Sequence, residues 1–323
     1  MQKMMRLNDE LCGVKSVGIS GHIRPDGDCV GSTMALYLYI KKNFPEIDVH
    51  IYLEDAPKIF DCIEAFEDIE NAEKADRDFD VFILSDVSKE RSGNAEKLFD
   101  RAKKKINIDH HVTNPGSGDV NYIVPTASSA AELVFDVLDE PLLDKEIAKA
   151  IYIGIIHDTG VFQYSNVSPK TFETAAKLIS YGFDFPKLID ETFYEKTYLQ
   201  SQLLGRVLSE SILLMDGRVA VGVMKEREIN FYGSVPADYE GIVNQLRLIK
   251  GVDVAIFMHE LKDHTFKVSL RSSTDDINVS EVCAYFGGGG HVRAAGVTME
   301  GNFYDVVNNL TKELEKQYAK RNN

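Results

Sequence analysis

The sequence predicts an α/β protein with two domains and a helical connector. At roughly 100–200 residues per domain, a chain of 323 residues suggests two domains, each large enough for its own core. In the first half, β-rich runs alternate with amphipathic stretches, which predicts a mainly parallel sheet covered on both sides. The alternation restarts after a long helical segment, which predicts a smaller α/β domain. The expected bounds are 1–184, 185–214 for the connector, and 215–323.

In the first domain, apolar runs with β-branched residues predict strands, and apolar residues at helical spacing predict helices. The expected strands are Ser16–Gly21, Asp48–Leu53, Asp80–Ser85 and Lys105–Ile108. The expected helices are Cys29–Asn43, Phe60–Glu70, Ala95–Lys104, Ser129–Leu138, Asp144–Ile156 and Pro169–Tyr181. Ser168 is the N-cap candidate of the last helix because a hydroxyl can accept a hydrogen bond from the first helical turn.

The rest of the chain begins with a helical pattern from Phe185 to about Leu214, which forms the connector. Beyond it the strands are expected at Arg218–Met224, Val254–Glu260 and Phe266–Arg271, and the helices at Tyr239–Ile249, Val279–Phe286 and Tyr304–Ala319. A run of four glycines, Gly287 to Gly290, follows the second of these helices.

Composition and charge exclude several classes of protein. With 44% apolar and 27% charged residues, the chain is not intrinsically disordered. The 36 basic and 51 acidic side chains give a net charge of −15, which argues against binding long duplex nucleic acid. Phosphate chemistry on a small anion stays open because metal ions can reverse the local field. Met1–Glu10 has no secretory apolar stretch and the apolar runs are too short to span a membrane, so a cytoplasmic protein without membrane contact is expected.

Ionisable residues follow several of the predicted strands. His22, Asp26 and Asp28 lie in the loop after the first strand, and Asp86 follows the strand that ends at Ser85. Ligands in open parallel sheets bind beyond the carboxyl ends of the strands, so these side chains are in a suitable place. Taken alone, Asp-Gly-Asp is typical of a turn and a single Asp after a strand is typical of a helix N-cap.

Asp109-His110-His111 follows the strand Lys105–Ile108 and is the most specific of these groups. Successive side chains on a strand face opposite sides, so adjacent histidines would not both reach one metal ion unless the strand has ended. The two histidines are therefore expected to do different jobs, with His111 directed away from His110. A further Asp, Asp158, ends an apolar helical run.

These motifs resemble, in order and context, the DHH phosphoesterase superfamily, which takes its name from the Asp-His-His sequence. The segment from Gly287 to Gly296 resembles the signature of the DHHA1 domain, and the resemblance covers nearly the whole chain. It implies two divalent metal ions, one on His22, Asp26 and Asp86, the other on Asp28, Asp86, His110 and Asp158. Imidazole with carboxylate suits Mn²⁺, Fe²⁺ or Co²⁺ better than Mg²⁺, and Mn²⁺ is the expected metal.

The resemblance also implies roles for the remaining residues. Asp86 would bridge the two ions, His111 would contact the phosphoryl group and protonate the leaving oxygen, and Asp109 would orient its neighbours. The glycine run does not fit a dinucleotide-binding fingerprint or a Walker loop. Substrate would be bound by Arg271, by the backbone of Gly288, Gly289 and Gly290, and by His291.

Within the superfamily, the length of the chain and its acidic charge favour a hydrolase of short oligoribonucleotides and 3′-phosphoadenosine-5′-phosphate. One alternative is a phosphodiesterase of cyclic or linear dinucleotides, which would use the same ligands. The other is a non-catalytic nucleotide-binding sensor, which predicts a lost ligand, and none is missing. The expected partners are the small substrates, and a homodimer is compatible with the sequence.

Overall fold

The computed structural model describes residues 5–262 and 264–321 and confirms the predicted α/β class. The chain divides into two compact units, Met1–Glu195 and Lys196–Asn323. In the part of the chain that the structure describes, no helix combines the length and the apolar character that crossing a bilayer requires.

The first unit is built on a six-stranded sheet in which every neighbouring pair is parallel. In spatial order its strands are Ile69–Glu70, Asp48–Tyr52, Ser16–Ser20, Val81–Ser85, Lys104–Asp109 and Val120–Ile123. Its α-helices are Leu7–Glu10, Gly27–Asn43, Glu96–Arg101, Ala130–Val137, Lys145–Asp158, Pro169–Ile179 and Phe185–Ile189. Because the strands are parallel, the carboxyl ends of the three that carry the motifs lie side by side.

Both faces of this sheet are covered, as the sequence predicts. A large aliphatic core packs around the helices Gly27–Asn43 and Lys145–Asp158. A smaller, aromatic core on Tyr52, Phe82 and Phe99 forms a separate cluster. The N-cap prediction at Ser168 is confirmed, since its hydroxyl accepts the backbone N–H of Thr171 in a full capping box.

The expectation of a helix over Phe60–Glu70 is wrong. The segment forms short turns of 3₁₀-helix, Lys58–Phe60 and Phe66–Asp68, followed by the strand Ile69–Glu70. Ala65, at φ 59°, adopts a left-handed conformation that breaks a helix.

The second unit carries a mixed six-stranded sheet and its own cores. In spatial order the strands are Gly289–His291, Ala294–Glu300, Thr265–Ser272, Val254–Glu260, Val219–Met224 and Ile212–Leu214. Its α-helices are Tyr198–Glu210, Glu226–Tyr232, Ile242–Arg247, Val279–Tyr285 and Phe303–Arg321. The sequence pattern missed the strand Ala294–Glu300 and the helix Glu226–Tyr232, and it extended the connector helix over Ile212–Leu214, which pairs as an edge strand.

Candidate metal centre

Asp26 fixes the start of the helix Gly27–Asn43. Its Oδ1 accepts hydrogen bonds from the backbone N–H groups of Asp28 and Cys29, both at 3.1 Å. Burial works against the charged carboxylate, but the contact with His22 and these backbone bonds lower the pKa of Asp26 to about 2. Asp26 therefore caps the helix, as an Asp in a turn commonly does, and also contacts His22.

His22 lies at the turn after the central strand. Its Nδ1 is 2.9 Å from the carbonyl oxygen of Ile23, which orients the ring. Nε2 then lies 3.6 Å from Asp26 Oδ1 and 3.4 Å from Asp86 Oδ2. Burial opposes a charge on the ring, but the two carboxylates outweigh it and raise the pKa of His22 far above its usual value.

Asp86 lies at the centre of the arrangement and is only 2% exposed. Its backbone is left-handed, with φ 59°, and its N–H donates to the carbonyl of Ile108 at 2.9 Å. Its Oδ1 lies 3.5 Å from His110 Nε2 and 3.5 Å from His111 Nδ1. Among the described residues, this buried oxygen has no hydrogen-bond partner. An orphaned buried carboxylate oxygen that faces imidazole nitrogens fits a cation ligand.

The expectation that His110 and His111 point apart is wrong. The strand Lys104–Asp109 ends before them, so the alternation of side chains no longer applies. Their ring centroids are 4.8 Å apart and both rings reach Asp86. They differ in exposure, since the side chain of His111 is 38% exposed and that of His110 is 14% exposed.

His110 faces three carboxylates. Its Nε2 lies 3.5 Å from Asp86 Oδ1, 3.7 Å from Asp158 Oδ2 and 3.8 Å from Asp28 Oδ2. Burial lowers the basicity of the ring, but these carboxylates raise the pKa of His110 to about 10.

Asp109 is fully buried and holds the histidines in place. Its Oδ1 accepts hydrogen bonds from the backbone N–H groups of His110 and His111, and it lies 2.7 Å from His111 Nδ1. Its Oδ2 accepts a hydrogen bond from Asn114 Nδ2. Burial works against the charge of Asp109, but His111 and Asn114 lower its pKa, and Asp109 in turn raises the pKa of His111.

Two asparagines support Asp109, and sequence reasoning missed both. Asn114 Nδ2 also lies 3.0 Å from Asn107 Oδ1, and Asn107 Nδ2 donates to the carbonyl of Val87 at 2.9 Å. The signal in the sequence is a polar Asn107 inside an apolar strand, where a buried amide needs hydrogen-bond partners.

Asp28 connects the site to another helix. Its Oδ2 accepts the backbone N–H of Ala130 at 2.6 Å and its Oδ1 that of Ala131 at 2.9 Å, at the start of the helix Ala130–Val137. Asp28 is 1% exposed. Burial and the nearby Asp86 and Asp158 raise its pKa well above the usual value. Carboxylate oxygens have further lone pairs, so Asp28 can accept these bonds and still bind a cation.

Asp158 ends the helix Lys145–Asp158 and is supported by Asn166, which the sequence pattern did not reveal. Asn166 Nδ2 lies 3.2 Å from Asp158 Oδ2, 3.1 Å from the carbonyl of Asp158 and 2.8 Å from the carbonyl of Ser128. Burial is the main reason that the pKa of Asp158 rises to about 6.

A left-handed turn follows Asp158. Gly160, Val161 and Phe162 have φ values of 56°, 55° and 63°. A β-branched residue rarely adopts this conformation, so Val161 is a strained position. Hydrogen bonds hold the turn, including one from the Phe162 N–H to the Thr159 hydroxyl at 3.1 Å.

The residues present fit divalent metal ions. In three groups, the ligand atoms lie within 4.8 Å of one another. The groups are Asp86, Asp109, His110 and His111; His22, Cys29 and Asp86; and Asp28, His110 and Asp158. We call the residues that carry this chemistry the carboxylate edge: His22, Asp26, Asp28, Asp86, Asp109, His110, His111 and Asp158. Their mixture of imidazole and carboxylate, with an orphaned buried oxygen, matches transition-metal ligation.

The second unit places Arg271 and His291 in one row across three strands. Arg271 pairs with Ala294, and Ala294 pairs with His291. Neighbours in such a row point to the same face of the sheet. Two strand spacings separate the outer residues by about 10 Å. The next row on this face consists of Ser269, Gly296 and Gly289, and we call these six residues the small-residue face.

The glycines of the run Gly287–Gly290 have different steric requirements. A Cβ on Gly288 would lie 2.4 Å from the carbonyl oxygen of Gly296, and one on Gly290 would lie 2.4 Å from that of Ala294. A Cβ on Gly289 would have no atom within 4 Å. Packing thus requires glycine at 288 and 290, whereas the space at Gly289 is open.

Comparison with known proteins defines the class. Residues 16–155 match the family model of the DHH family, N-terminal domain, and residues 216–320 match that of the DHHA1 domain. The chain belongs to the DHH family and is a two-domain DHH–DHHA1 phosphoesterase. The first match contains the ligand candidates up to His111, and the second contains both rows of the small-residue face.

Relatives of known name align over most of the chain. The bifunctional oligoribonuclease and PAP phosphatase NrnA of Thermus thermophilus is 29% identical over 93% of this chain and 89% of its own length. The protein of the same name from Bacillus subtilis is 25% identical over 91% of this chain and 92% of its own length. An exopolyphosphatase-related protein from Bacteroides fragilis has a similar crystal structure, with a TM-score of 0.84 and 25% identity, covering 96% of this chain and 94% of that one.

Proposed function

We propose that this protein hydrolyses short oligoribonucleotides and 3′-phosphoadenosine-5′-phosphate, using two divalent metal ions, with Mn²⁺ preferred. The observation that carries the proposal is the carboxylate edge, in which His22, His110 and His111 surround Asp86, whose buried Oδ1 has no hydrogen-bond partner among the described residues. The names of the Thermus and Bacillus relatives supply the substrate class. Their alignments cover about nine-tenths of this chain.

The first unit would hold the metal ions. His22, Asp26 and Asp86 would bind one ion, and Asp28, Asp86, His110 and Asp158 the other, so that Asp86 would serve both. When bound, such a pair of ions activates water and neutralises charge on the phosphoryl oxygens. The protein contributes orientation: backbone N–H groups hold Asp26 and Asp28, and Asn166 holds Asp158.

His111 acts as the general acid. Asp109 holds a proton on His111 Nδ1 and raises the pKa of the ring, which leaves Nε2 to donate a proton to the leaving ribose oxygen. The exposure of its side chain supports this role, because the acid must reach the substrate. After it has donated this proton, His111 takes up another proton from solvent.

The small-residue face binds a nucleotide. Arg271 and His291 flank Ala294, whose methyl group leaves room for a phosphate or a base between them. The guanidinium group of Arg271 suits a phosphate. Gly289 and Gly290 are exposed and Gly288 is half-buried, so the backbone of this run allows close approach of the ligand.

The test is product release by the purified chain with Mn²⁺ on a panel of substrates: 3′-phosphoadenosine-5′-phosphate, RNA from dimers to twenty-mers, cyclic di-AMP and pyrophosphate. We expect rapid turnover of the bisphosphate and the shortest RNAs and slow turnover of long RNA. The variant Asp86→Asn serves as the blank.

Two other results of the substrate panel would replace the proposed function. Turnover of cyclic di-AMP alone would replace the proposal by a dinucleotide phosphodiesterase. Binding of nucleotides without turnover of any substrate would replace it by a nucleotide sensor.

A further inference from the structure

Cys29 lies against the proposed metal centre and has no part in the function proposed above. It is fully buried, and its Sγ lies 4.0 Å from the carbonyl oxygen of His22. The sulfur occupies the space that Gly21 leaves open, since a Cβ on Gly21 would be 2.1 Å from it. The thiol is therefore held in one place by the packing of the loop.

The surroundings of Cys29 are those of a soft-metal site. Its Sγ lies within 4.8 Å of ligand atoms of His22 and Asp86, and all three residues are buried. In the described part of the chain, Cys12, Cys62 and Cys283 belong to no such group. Asp86 supplies the oxygen ligand on this side, since its Oδ2 lies 3.4 Å from His22 Nε2, whereas its Oδ1 faces His110 and His111.

We propose that His22, Cys29 and Asp86 form a binding site for a thiophilic divalent cation, Zn²⁺ or Cd²⁺. Nitrogen, sulfur and carboxylate oxygen are the donors that Zn²⁺ takes, and three protein ligands leave its fourth position to water. On binding, the S–H bond of Cys29 breaks, the proton leaves to solvent, and a sulfur–metal bond forms. Thiolate favours Zn²⁺ and Cd²⁺ over Mn²⁺ or Mg²⁺.

The site rests on the proposed function in one respect, because His22 and Asp86 are also proposed ligands of the hydrolytic ions. A thiophilic cation bound there excludes an ion from that position. Zn²⁺ and Cd²⁺ therefore inhibit Mn²⁺-dependent hydrolysis, and the sulfur of Cys29 is the reason that they do so at low concentration.

The direct experiment uses the metal-free full chain titrated with Cd²⁺ while the ultraviolet cadmium–thiolate charge-transfer absorption is recorded. We expect a band that saturates at one equivalent in the wild type and in Cys62→Ala, the matched control. The band is absent in Cys29→Ala and Cys29→Ser. Circular dichroism verifies the fold of each variant.

Two further measurements test whether Cys29 binds zinc. X-ray absorption at the zinc edge of the wild type, loaded with one equivalent, should show one sulfur neighbour at about 2.3 Å. The Zn²⁺ concentration that halves each protein's own Mn²⁺-dependent activity should rise at least tenfold in Cys29→Ser. The proposal is overturned by a wild type without the band, by a band that persists in the folded Cys29 variants, or by a zinc site without sulfur.

These readouts separate the two proposals. If the wild type shows the cadmium band but hydrolyses no phosphate ester, the proposed function is refuted and the cation site is supported. If it hydrolyses substrate but shows no band, the cation site is refuted and the proposed function is supported.

Discussion

The carboxylate edge and the small-residue face place polar groups by different physical means. At the carboxylate edge, Asp28, Asp86 and Asp109 are buried, and Asp28 and Asp109 each accept two backbone hydrogen bonds. On the small-residue face, His291 is exposed and the strand that carries it consists otherwise of glycine. At the carboxylate edge, hydrogen bonds hold buried carboxylates close together although they repel one another. On the small-residue face, the backbone is exposed and space remains for a ligand.

This difference predicts how substitutions affect each site. Substitution at the carboxylate edge removes a charge that several neighbours depend on, so we expect large losses of turnover. Substitution on the small-residue face alters contacts with the ligand, so we expect smaller effects, mainly on KM.

The largest effect is expected for Asp86→Asn. Asparagine tolerates the left-handed backbone at this position, so the fold is kept while the charge shared among three histidines is lost. The value of kcat should fall by several orders of magnitude with an unchanged circular dichroism spectrum. A variant with kcat near that of the wild type would remove Asp86 from the centre.

A smaller effect is expected at Asn166. Loss of its amide in Asn166→Ala frees the carboxylate of Asp158, and Mn²⁺ affinity should fall by about 10–100-fold. Asn166→Asp replaces the amide donor by a carboxylate that repels Asp158, so its Mn²⁺ affinity should be lower than that of the alanine variant. Calorimetric titration with Mn²⁺ checks both, and equal affinities of the two variants would contradict a positioning role.

On the small-residue face, Arg271→Ala should raise KM by about tenfold and change kcat less, because a charge-assisted hydrogen bond to substrate is lost. Lys267→Ala is the matched control, since Lys267 is an exposed cation on the same strand and the same face. Steady-state kinetics with 3′-phosphoadenosine-5′-phosphate measures both. Equal KM values for wild type and Arg271→Ala would take this residue out of the binding surface.

Two neighbouring glycines of the run Gly287–Gly290 differ in the stability that we expect after substitution. Gly288→Ala forces a Cβ against the carbonyl of Gly296 and should cost about 1–3 kcal/mol in the free energy of unfolding. Gly289→Ala meets open space and should stay within about 0.5 kcal/mol of the wild type. Urea unfolding measures the difference, and equal stabilities would refute the steric argument.

The smallest effect concerns pH and the metal-free protein. The folded-state pKa of Asp158 is raised from 3.8 to about 6, so its stabilising contribution is complete below 3.8 and is lost as pH rises through 6. The pKa of His110 is raised from 6.5 to about 10, so its contribution is lost as pH rises through 10. The melting temperature of the metal-free protein should therefore fall by a few degrees over each interval.

Scanning calorimetry between these pH values checks the trend, with Mn²⁺-loaded protein beside it. Bound cations offset the repulsion among the carboxylates, so the gain in melting temperature on adding Mn²⁺ should grow with pH. A metal-free melting temperature that rises with pH would contradict the raised pKa values of Asp158 and His110.

Sequence reasoning found the parallel sheet and the motif residues because strand ends are local signals. The apolar runs before Asp86 and before Asp109 marked the strands, and parallel topology then brought their ends together. Asn114 and Asn166 were missed because their partners lie across turns that no periodicity encodes. The orientation of His111 was missed because it depends on the residue at which the strand ends.

The strand Gly289–His291 also affects how the protein behaves among copies of itself. It forms one outer edge of the second sheet, where unpaired backbone groups can recruit a strand from another chain. Three residues, two of them glycine, give this edge little β-propensity and almost no apolar surface. The glycines at this edge thus disfavour aggregation while they leave the backbone accessible.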